Sequence, residues 1–361
     1  MARTTLTINC QKINTTLHSL KAQLDPNCQL MMVVKANAYG LGMAELAQRL
    51  DLSPIHSFAV ATVDEGQLLR SFVKDKTILL LCEPTEEDFS HILKDKLTPL
   101  VYSKHTIHAL NEFCKRSQTH LELHLKCNTG MNRLGCRPKE APELIQTIND
   151  ASHLKLTGIM SHFSHSNNPD FISITKNQLQ QFTTCIETLL PLIEKQNTGS
   201  PMLHIANSAA SSQLKDSHLN CIRVGLSCYQ NSLSLTGKLI HIQKITKGET
   251  VSYFGKYLAE TDRYIGVIGT GYADGIPSTI QDRSPVLIAQ KKYPIVGQVC
   301  MDMILVDLGE TQPAFTHGET VEFFGTSANS ISLETFSTYC KINPRAVLCG
   351  IGQRVKRRYL S

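Results

Sequence analysis

The sequence lacks the signals of several protein classes. No apolar run approaches the roughly 18 residues that a membrane-spanning helix needs, and no G-x-G-x-x-G motif follows a predicted strand, which weakens a dinucleotide-binding interpretation. The twelve cysteines form no C-x-x-C pair and show no zinc-like spacing. The amino terminus has no apolar segment of the secretory kind. We therefore expect buried thiols in a reducing cytoplasm, with no metal site and no membrane segment.

The net charge of the sequence is too small to indicate binding to nucleic acid. The 361 residues are 42% apolar and 19% charged, and the formal net charge is +5. The basic cluster Arg354, Lys356, Arg357 and Arg358 lies close to the carboxyl terminus, where a solvated tail or a last strand explains it. The composition is that of a globular protein large enough for one large and one smaller domain.

The first 230 residues alternate short apolar runs with helix-like segments. After a helix-like stretch at 8–24, the runs are 30–35, 57–62, 77–82, 97–102, 121–127, 156–162, 202–206 and 222–226. Eight strand–helix units in this length predict an α/β domain, a TIM (β/α)8 barrel, over residues 10–232.

The rest of the chain shows a different pattern of apolar runs. Residues 230–237 resemble a linker, and closely spaced alternating runs follow at 239–245, 250–253, 264–269, 286–289, 293–299, 304–308 and 320–324. The one evident helix is 333–340, with Ser332 as its N-cap. We predict a smaller, mainly β C-terminal domain over 233–361, with residues 1–9 packed against it.

Lys35 follows the first apolar run, and small, polar and glycine residues come directly after it. We expect this lysine at the last position of a strand buried on both faces, where the strand beneath partly desolvates the amine. Desolvation disfavours the ammonium and lowers the pKa of the amine, which can then act as a nucleophile and form a Schiff base.

Further polar residues stand at the ends of the later predicted strands. In a barrel these ends meet at one mouth, where catalysis takes place. The residues are Lys126, Arg133, His162, His204 and Arg223. Each is weak evidence alone, but their common location predicts an active site around Lys35.

The loops after the last two barrel strands predict a phosphate site. They offer the Ser208 hydroxyl and the backbone N–H groups of Gly225 and Leu226, and glycine allows close approach of the backbone. A phosphate site beside an activated lysine suggests pyridoxal 5′-phosphate as a cofactor. A sugar-phosphate aldolase barrel pairs the same two features, although we would expect its lysine on a later strand and no second domain.

Seven motifs resemble those of the pyridoxal-phosphate-dependent alanine racemases, which join a barrel to a β domain. They are residues 33–40 (VVKANAYG), 129–135 (TGMNRLG), 161–163 (SHF), 204–210 (HIANSAA), 251–253 (VSY), 271–275 (GYADG) and 300–302 (CMD). They occur in the family's order and in both predicted domains. The resemblance implies interconversion of L-alanine and D-alanine for peptidoglycan by a homodimer with shared active sites.

The resemblance also implies roles for individual residues. Lys35 and Tyr253 match the two catalytic bases, with Tyr253 contributed by the second subunit. The residues that match cofactor contacts are Lys35, Tyr39, Arg133, His162, His204, Ser208, Arg223, Gly225 and Leu226. Those that match the substrate site are Arg133, Tyr272 and Met301, and Lys126 matches a lysine that is often carbamylated.

Racemisation explains why these residue types are needed. An α-proton leaves one face and a proton returns to the other, so two bases on opposite faces suffice. An amine and a phenol normally keep their protons until pH ~10, so the pKa of each must be lowered; a Tyr253 near His162 and the Arg223 cation would favour its phenolate. Arg223 matches the arginine at the pyridine nitrogen and cannot give up its proton. The nitrogen then stays unprotonated, which weakens the electron sink and discourages side reactions.

Four positions depart from the family's pattern, Leu41 and Gln230 among them, and three alternatives stay open. Asn128 replaces a common aspartate beside Lys126, and Gln353 stands where some relatives place a phosphate-binding tyrosine. The first alternative is a related racemase acting on serine or lysine. The second is a decarboxylase of the same architecture, which would need a different motif at 251–253. The third is a pyridoxal-phosphate carrier protein, which would lack the second domain.

Overall fold

The computed structural model describes residues 3–194, 199–280, 282 and 284–361, and it divides the chain into two compact units. The barrel unit comprises the described parts of Thr16–Ala38 and Met43–Ser227. The β unit comprises residues 3–15, Tyr39–Gly42 and the described parts of Cys228–Ser361. The predicted boundary at 232/233 stays a prediction, and residues 1 and 2 of the predicted segment 1–9 lie outside the described residues.

The barrel unit contains the eight predicted parallel strands, which confirms the fold class. In chain order they are Gln29–Val33, Ser57–Val60, Thr77–Leu80, Leu100–Val101, Leu121–Lys126, Leu154–Met160, Met202–His204 and Cys221–Val224. They form two four-stranded halves. Thr98 joins the halves on one side by exchanging backbone hydrogen bonds with Ile78 and Leu80, and Arg223 N–H joins them on the other by donating to Ala206 C=O at 3.0 Å.

The predicted strands were placed correctly, but several end too late. The first ends at Val33, so Lys35 is not its last residue, and the sixth ends at Met160, before His162. The polar residues at these positions belong to the loops that follow. The helices in this part of the chain are Cys10–Ala22, Met43–Arg49, Val63–Phe72, Phe89–Lys94, Lys104–Arg116, Ala141–Asp150, Ile172–Glu194, Ser208–Gln213 and Leu226–Tyr229.

The β unit is built around one long strand, Leu233–Ile245, whose first half pairs with Thr320–Phe324 and whose second half pairs with Arg263–Ile268. This double pairing closes a ring of strands. The remaining members of the ring are Pro285–Ile288, Lys291–Val296 and Ile304–Gly309. The linker predicted at 230–237 is therefore wrong from Leu233 onwards. Its polar residues alternate with buried Leu233 and Leu235, which is the period of a strand and outweighs the linker-like composition.

The two termini of the chain add strands to the same sheet. Thr5–Asn9 pairs with the first half of the long strand, and Lys356–Leu360 pairs with Thr5–Asn9. The basic cluster near the carboxyl terminus thus lies mostly in a last strand. A short hairpin joins Thr250–Val251 to Tyr257–Leu258.

Helices of the β unit lie just before its last strand. Helix Leu333–Tyr339 is capped by Ser332 as predicted, since the Ser332 Oγ accepts from Thr335 N–H at 3.1 Å. Helix Pro344–Cys349, capped by Asn343, was not predicted. Within the described residues, no helix is both long and apolar enough to cross a membrane.

Candidate active site

Lys35 lies at the start of an unusual turn just after the first barrel strand. Four consecutive non-glycine residues, Ala36 to Tyr39, have φ between 53° and 57°, and Gly40 follows at 79°. A left-handed conformation costs about 1–2 kcal/mol for each residue with a Cβ, so other contacts must hold this turn in place. Such strain concentrates at functional sites.

Glu65 holds this turn from a neighbouring strand–helix unit. One carboxylate oxygen accepts from Ala36 N–H at 2.5 Å, and the other accepts from Ala61 N–H at 2.8 Å. Thr62 caps helix Val63–Phe72, in which Glu65 completes a capping box. A second clamp is the Asn37 Oδ1, which accepts from Met43 N–H at 2.7 Å. Glu65 therefore links the backbone of Ala36 to that of Ala61, which directly follows the barrel strand Ser57–Val60.

We expect Glu65→Gln to lower the catalytic rate of the site about tenfold. A glutamine has only one acceptor oxygen, so the N–H of Ala36 or Ala61 loses its partner and Lys35 loses a fixed position. Steady-state kinetics measures the effect. Asp64→Asn is the matched control, because it removes the same charge from the same first turn on an exposed side chain; equal rates for the two variants would contradict the positioning role of Glu65.

Arg223 is the most enclosed cation of the barrel mouth, with 3% of its surface exposed. Its Nη1 lies 2.9 Å from His204 Nδ1, and its Nη2 lies 3.1 Å from His162 Nδ1. The remaining acceptors are the carbonyls of Ser161, His204 and Ile205. Because a guanidinium only donates, both imidazoles must accept through an unprotonated Nδ1.

Burial and the Arg223 charge lower the pKa of His162 and the pKa of His204 well below the usual range. Both rings are therefore neutral near pH 7, in agreement with their role as acceptors. The Arg223 guanidinium is therefore the charged member of this group.

Lys126 is buried beside other cations. Burial is the main cause that lowers the pKa of Lys126 to about 8, and the charges of Arg223, Arg133 and Lys35 lower it further. Lys126, Arg133 and His162 line one pocket of the barrel unit. Within the described part of the chain, neither Lys126 nor Arg133 nor Arg223 forms an ion pair with a carboxylate. The mouth is thus strongly electropositive and suited to an anionic ligand.

Asn128 shapes the loop that carries Arg133. Its Oδ1 accepts from the N–H groups of Gly130 at 3.1 Å and Asn132 at 3.0 Å, and its Nδ2 donates to the Asn132 Oδ1. Asn132 has a φ of 55°, in the left-handed region that asparagine tolerates. The amide therefore makes the acceptor contacts that an aspartate would make, and the departure from the family's pattern leaves the loop intact.

The predicted phosphate residues of the barrel unit lie together. Gly225 N–H donates to the Ser208 Oγ at 3.0 Å, and Leu226 follows Gly225 at the start of a short helix. Tyr39 is counted with the β unit, where its ring packs against Tyr229 with centroids 5.8 Å apart. The hydroxyl of Tyr39 pairs with Arg345, and burial raises the pKa of Tyr39.

Tyr253, Tyr272 and Met301 are brought together on the β unit. Tyr253 follows Ser252, whose Oγ donates to Gln298 C=O at 2.8 Å. Ala273, the residue after Tyr272, donates its N–H to Met301 C=O at 3.0 Å. Ser252 has a φ of 69°, so the Tyr253 turn is strained. All three side chains are exposed, Tyr253 by 64%.

Sequence reasoning missed two residues of the barrel unit, Glu65 and His124. Glu65 had a signal, because Thr62 and Glu65 have the spacing of a capping box. His124 precedes Lys126 by two residues on a strand and therefore shares its face. The buried His124 Nδ1 lies 3.0 Å from His204 Nε2.

Comparison with known proteins gives the family that the sequence motifs resemble, and the match extends over residues 8–359. Residues 8–232 match the family model described as alanine racemase, N-terminal domain, and residues 232–359 match alanine racemase, C-terminal domain. The chain is 32% identical to an alanine racemase of Treponema pallidum over 92% of this chain and 93% of that protein.

Solved structures show the same similarity in three dimensions. An alanine racemase of Clostridium difficile has a TM-score of 0.89 and 28% identity, over 100% of this chain and 96% of that chain. An alanine racemase of Bartonella henselae, described with covalently bound pyridoxal phosphate, has a TM-score of 0.88 and 25% identity over the full length of both chains.

Proposed function

Because this chain belongs to the alanine racemase family, we infer that it is an isomerase that interconverts L-alanine and D-alanine, and we propose pyridoxal 5′-phosphate as its cofactor. The observation that supports the cofactor is the group of cations at the barrel mouth, Lys35, Lys126, Arg133 and Arg223. In addition to burial, the charges of the other three lower the pKa of Lys126, and all four lower the pKa of His162. A phosphate and a substrate carboxylate would offset their repulsion. In bacteria the product would supply peptidoglycan synthesis.

The donor set fits this cofactor group by group. Ser208, Gly225, Leu226 and Tyr39 would hold the phosphate, and His204 would line the ring pocket. Arg223 would donate to the pyridine nitrogen. When bound, pyridoxal 5′-phosphate supplies an aldehyde that joins to amines and a ring that stabilises a carbanion next to the joined nitrogen.

The chain's own residues then move the protons. We propose that the Lys35 amine holds the proton of one face and the Tyr253 hydroxyl of a second copy holds that of the other. His162 accepts from Arg223 at Nδ1, so its proton lies on Nε2, where it would donate to the Tyr253 oxygen. This donation from a ring polarised by a guanidinium would favour the phenolate.

Lys126 would carry a carbamate that positions Arg133. Carbamate formation needs a neutral amine, and a lysine with a pKa of about 8 offers far more of it near neutrality than an ordinary lysine. The new carboxylate would neutralise part of the charge around Arg133. This carbamate is a proposal that mass spectrometry of the native protein can test.

Two copies of the chain would share each active site. Large apolar side chains are exposed on the β unit around Tyr253, namely Phe254, Leu258, Tyr272, Met301 and Met303. Such a surface is typical of an interface, and it carries the residues that would line the substrate entrance. We propose a cytoplasmic homodimer.

Purified protein loaded with pyridoxal 5′-phosphate tests the proposal. We expect a visible chromophore held by the protein and formation of D-alanine from L-alanine, with L-serine and L-lysine turned over far more slowly. Comparable rates on the three substrates would favour the racemase of broader specificity. No racemisation of any of them would refute the proposed function.

Arg223→Glu should increase side reactions. A carboxylic acid at this place could supply a proton that arginine keeps, so the bound ring would withdraw electrons more strongly and side reactions would compete better with racemisation. We expect pyruvate formation per racemisation event to rise about tenfold or more. Arg133→Glu controls for charge reversal in the same mouth and should slow racemisation without raising that ratio; an unchanged ratio in Arg223→Glu would contradict the role of Arg223.

A further inference from the structure

We propose that His124 is a positioning residue that fixes the orientation of the His204 ring and thereby the orientation of the Arg223 guanidinium. The proposal rests on the proposed function, because it concerns the arginine that would face the pyridine nitrogen. His124 lies on barrel strand Leu121–Lys126 and His204 on Met202–His204, while Arg223 lies on Cys221–Val224. The three side chains form one buried row across the barrel.

The direction of the hydrogen bonds in this row follows from one fact. Arg223 Nη1 lies 2.9 Å from His204 Nδ1, and a guanidinium can only donate. His204 is neutral and accepts at Nδ1, so its single proton lies on Nε2. This N–H points at the His124 Nδ1, 3.0 Å away, which must accept. The row is therefore a directed chain from Arg223 through His204 to His124.

Both imidazoles stay neutral because of their surroundings. Burial, followed by the Arg223 charge, lowers the pKa of His124 to about 3 and the pKa of His204 well below its usual range. A protonated imidazole cannot accept a hydrogen bond, so this row of hydrogen bonds requires both rings to be neutral. His124 therefore acts at Nδ1 as the acceptor that holds the His204 N–H, and with it the His204 ring, in place.

Gly158 provides the space that His124 needs. A Cβ at Gly158 would lie 2.5 Å from both Cε1 and Nδ1 of the His124 ring and 2.6 Å from its Nε2. The glycine belongs to strand Leu154–Met160 and is paired directly with His124 in the sheet. The ring thus packs flat against the backbone of the neighbouring strand, which leaves it little freedom to rotate.

The proposed donation from Arg223 to the pyridine nitrogen depends on this row of hydrogen bonds. If His204 loses its acceptor at Nε2, that N–H is left buried without a partner, and the ring gains by turning toward another acceptor. This rotation takes Nδ1 away from the N–H of Arg223. The guanidinium must then turn, and its donor to the pyridine nitrogen turns with it. Outer partners that orient an inner group in this way, as around metal-bound histidines, typically contribute 10- to 100-fold in activity.

The test compares His124→Leu with His124→Asn in the holoenzyme. Leucine keeps the approximate volume and removes the acceptor, whereas asparagine offers Oδ1 near the position of Nδ1. We expect kcat to fall about tenfold or more in His124→Leu, with KM changed less than about threefold, and to recover at least partly in His124→Asn. The ratio of pyruvate formation to racemisation should rise in the leucine variant and return in the asparagine variant.

Nuclear magnetic resonance of the wild-type holoenzyme, with ¹⁵N-labelled histidine, tests the chain without any substitution. We expect a protonated Nε2 and an unprotonated Nδ1 for His204, and a coupling between His204 Nε2 and His124 Nδ1 across the hydrogen bond. A protonated Nδ1 on His204 would overturn the proposal, and so would equal kinetics for the leucine and asparagine variants. If the wild type does not racemise alanine, the proposed function is refuted. The histidine resonances would then still test the hydrogen bonds from Arg223 through His204 to His124.

Discussion

Lys35→Ala is expected to abolish both retention of the cofactor chromophore and racemisation, the latter by about 10³-fold or more. The substitution removes the amine that would join the aldehyde and also one of the two groups that move the α-proton. The left-handed turn after Lys35 is held by hydrogen bonds of the Glu65 and Asn37 side chains to backbone N–H groups, and these bonds do not involve the lysine side chain. Visible absorbance after gel filtration and a coupled assay for D-alanine measure the two losses.

Lys115→Ala is the matched control, because it shortens a lysine on the exposed face of helix Lys104–Arg116 in the same unit. This control should keep both chromophore and rate. A Lys35→Ala protein that keeps a chromophore after gel filtration, or that racemises within tenfold of wild type, would remove Lys35 from the mechanism.

Tyr253→Phe is expected to lower racemisation by about 10²- to 10⁴-fold while the chromophore is retained. Phenylalanine keeps the ring and removes only the hydroxyl. The two enantiomers have equal free energies, so kcat/KM must fall equally in both directions. Exchange of the α-proton with solvent can nevertheless become unequal, and we expect it to be impaired more from L-alanine than from D-alanine, since Lys35 still serves the other face.

Tyr264→Phe is the control, since it removes a hydroxyl from strand Arg263–Ile268 of the same unit. It should leave both exchange rates unchanged. Equal loss of exchange from the two enantiomers in Tyr253→Phe would argue against a base that serves a single face.

The sequence was sufficient to predict the barrel and the residues around its mouth. The buried strands of a parallel barrel are continuous apolar runs, so each leaves a strong signal. Their ends were harder to place, because Lys35 and His162 follow strands that have already left the ladder at Val33 and Met160. The left-handed turn after Lys35 has no local signal beyond Gly40, since alanine and tyrosine do not favour it and only tertiary contacts hold it there.

The two missed residues, Glu65 and His124, would act by positioning other residues. Glu65 was visible as part of a capping box, but its second contact, with Ala36, depends on how two strand–helix units pack. His124 shares a strand face with Lys126, yet its partner His204 is 80 residues away along the chain. The linker predicted at 230–237 failed for a simpler reason, because composition was given more weight than the alternation of Leu233 and Leu235.

The central claim is that Lys35 of one copy and Tyr253 of another form one active site. Co-expression of Lys35→Ala with Tyr253→Phe, followed by purification of the mixed dimer through two different tags, tests it most directly. Each variant alone is nearly inactive, but the mixed dimer should carry one site with both residues intact and recover about half of the wild-type activity. A mixed dimer no more active than its two parents would show that the two residues do not meet across subunits.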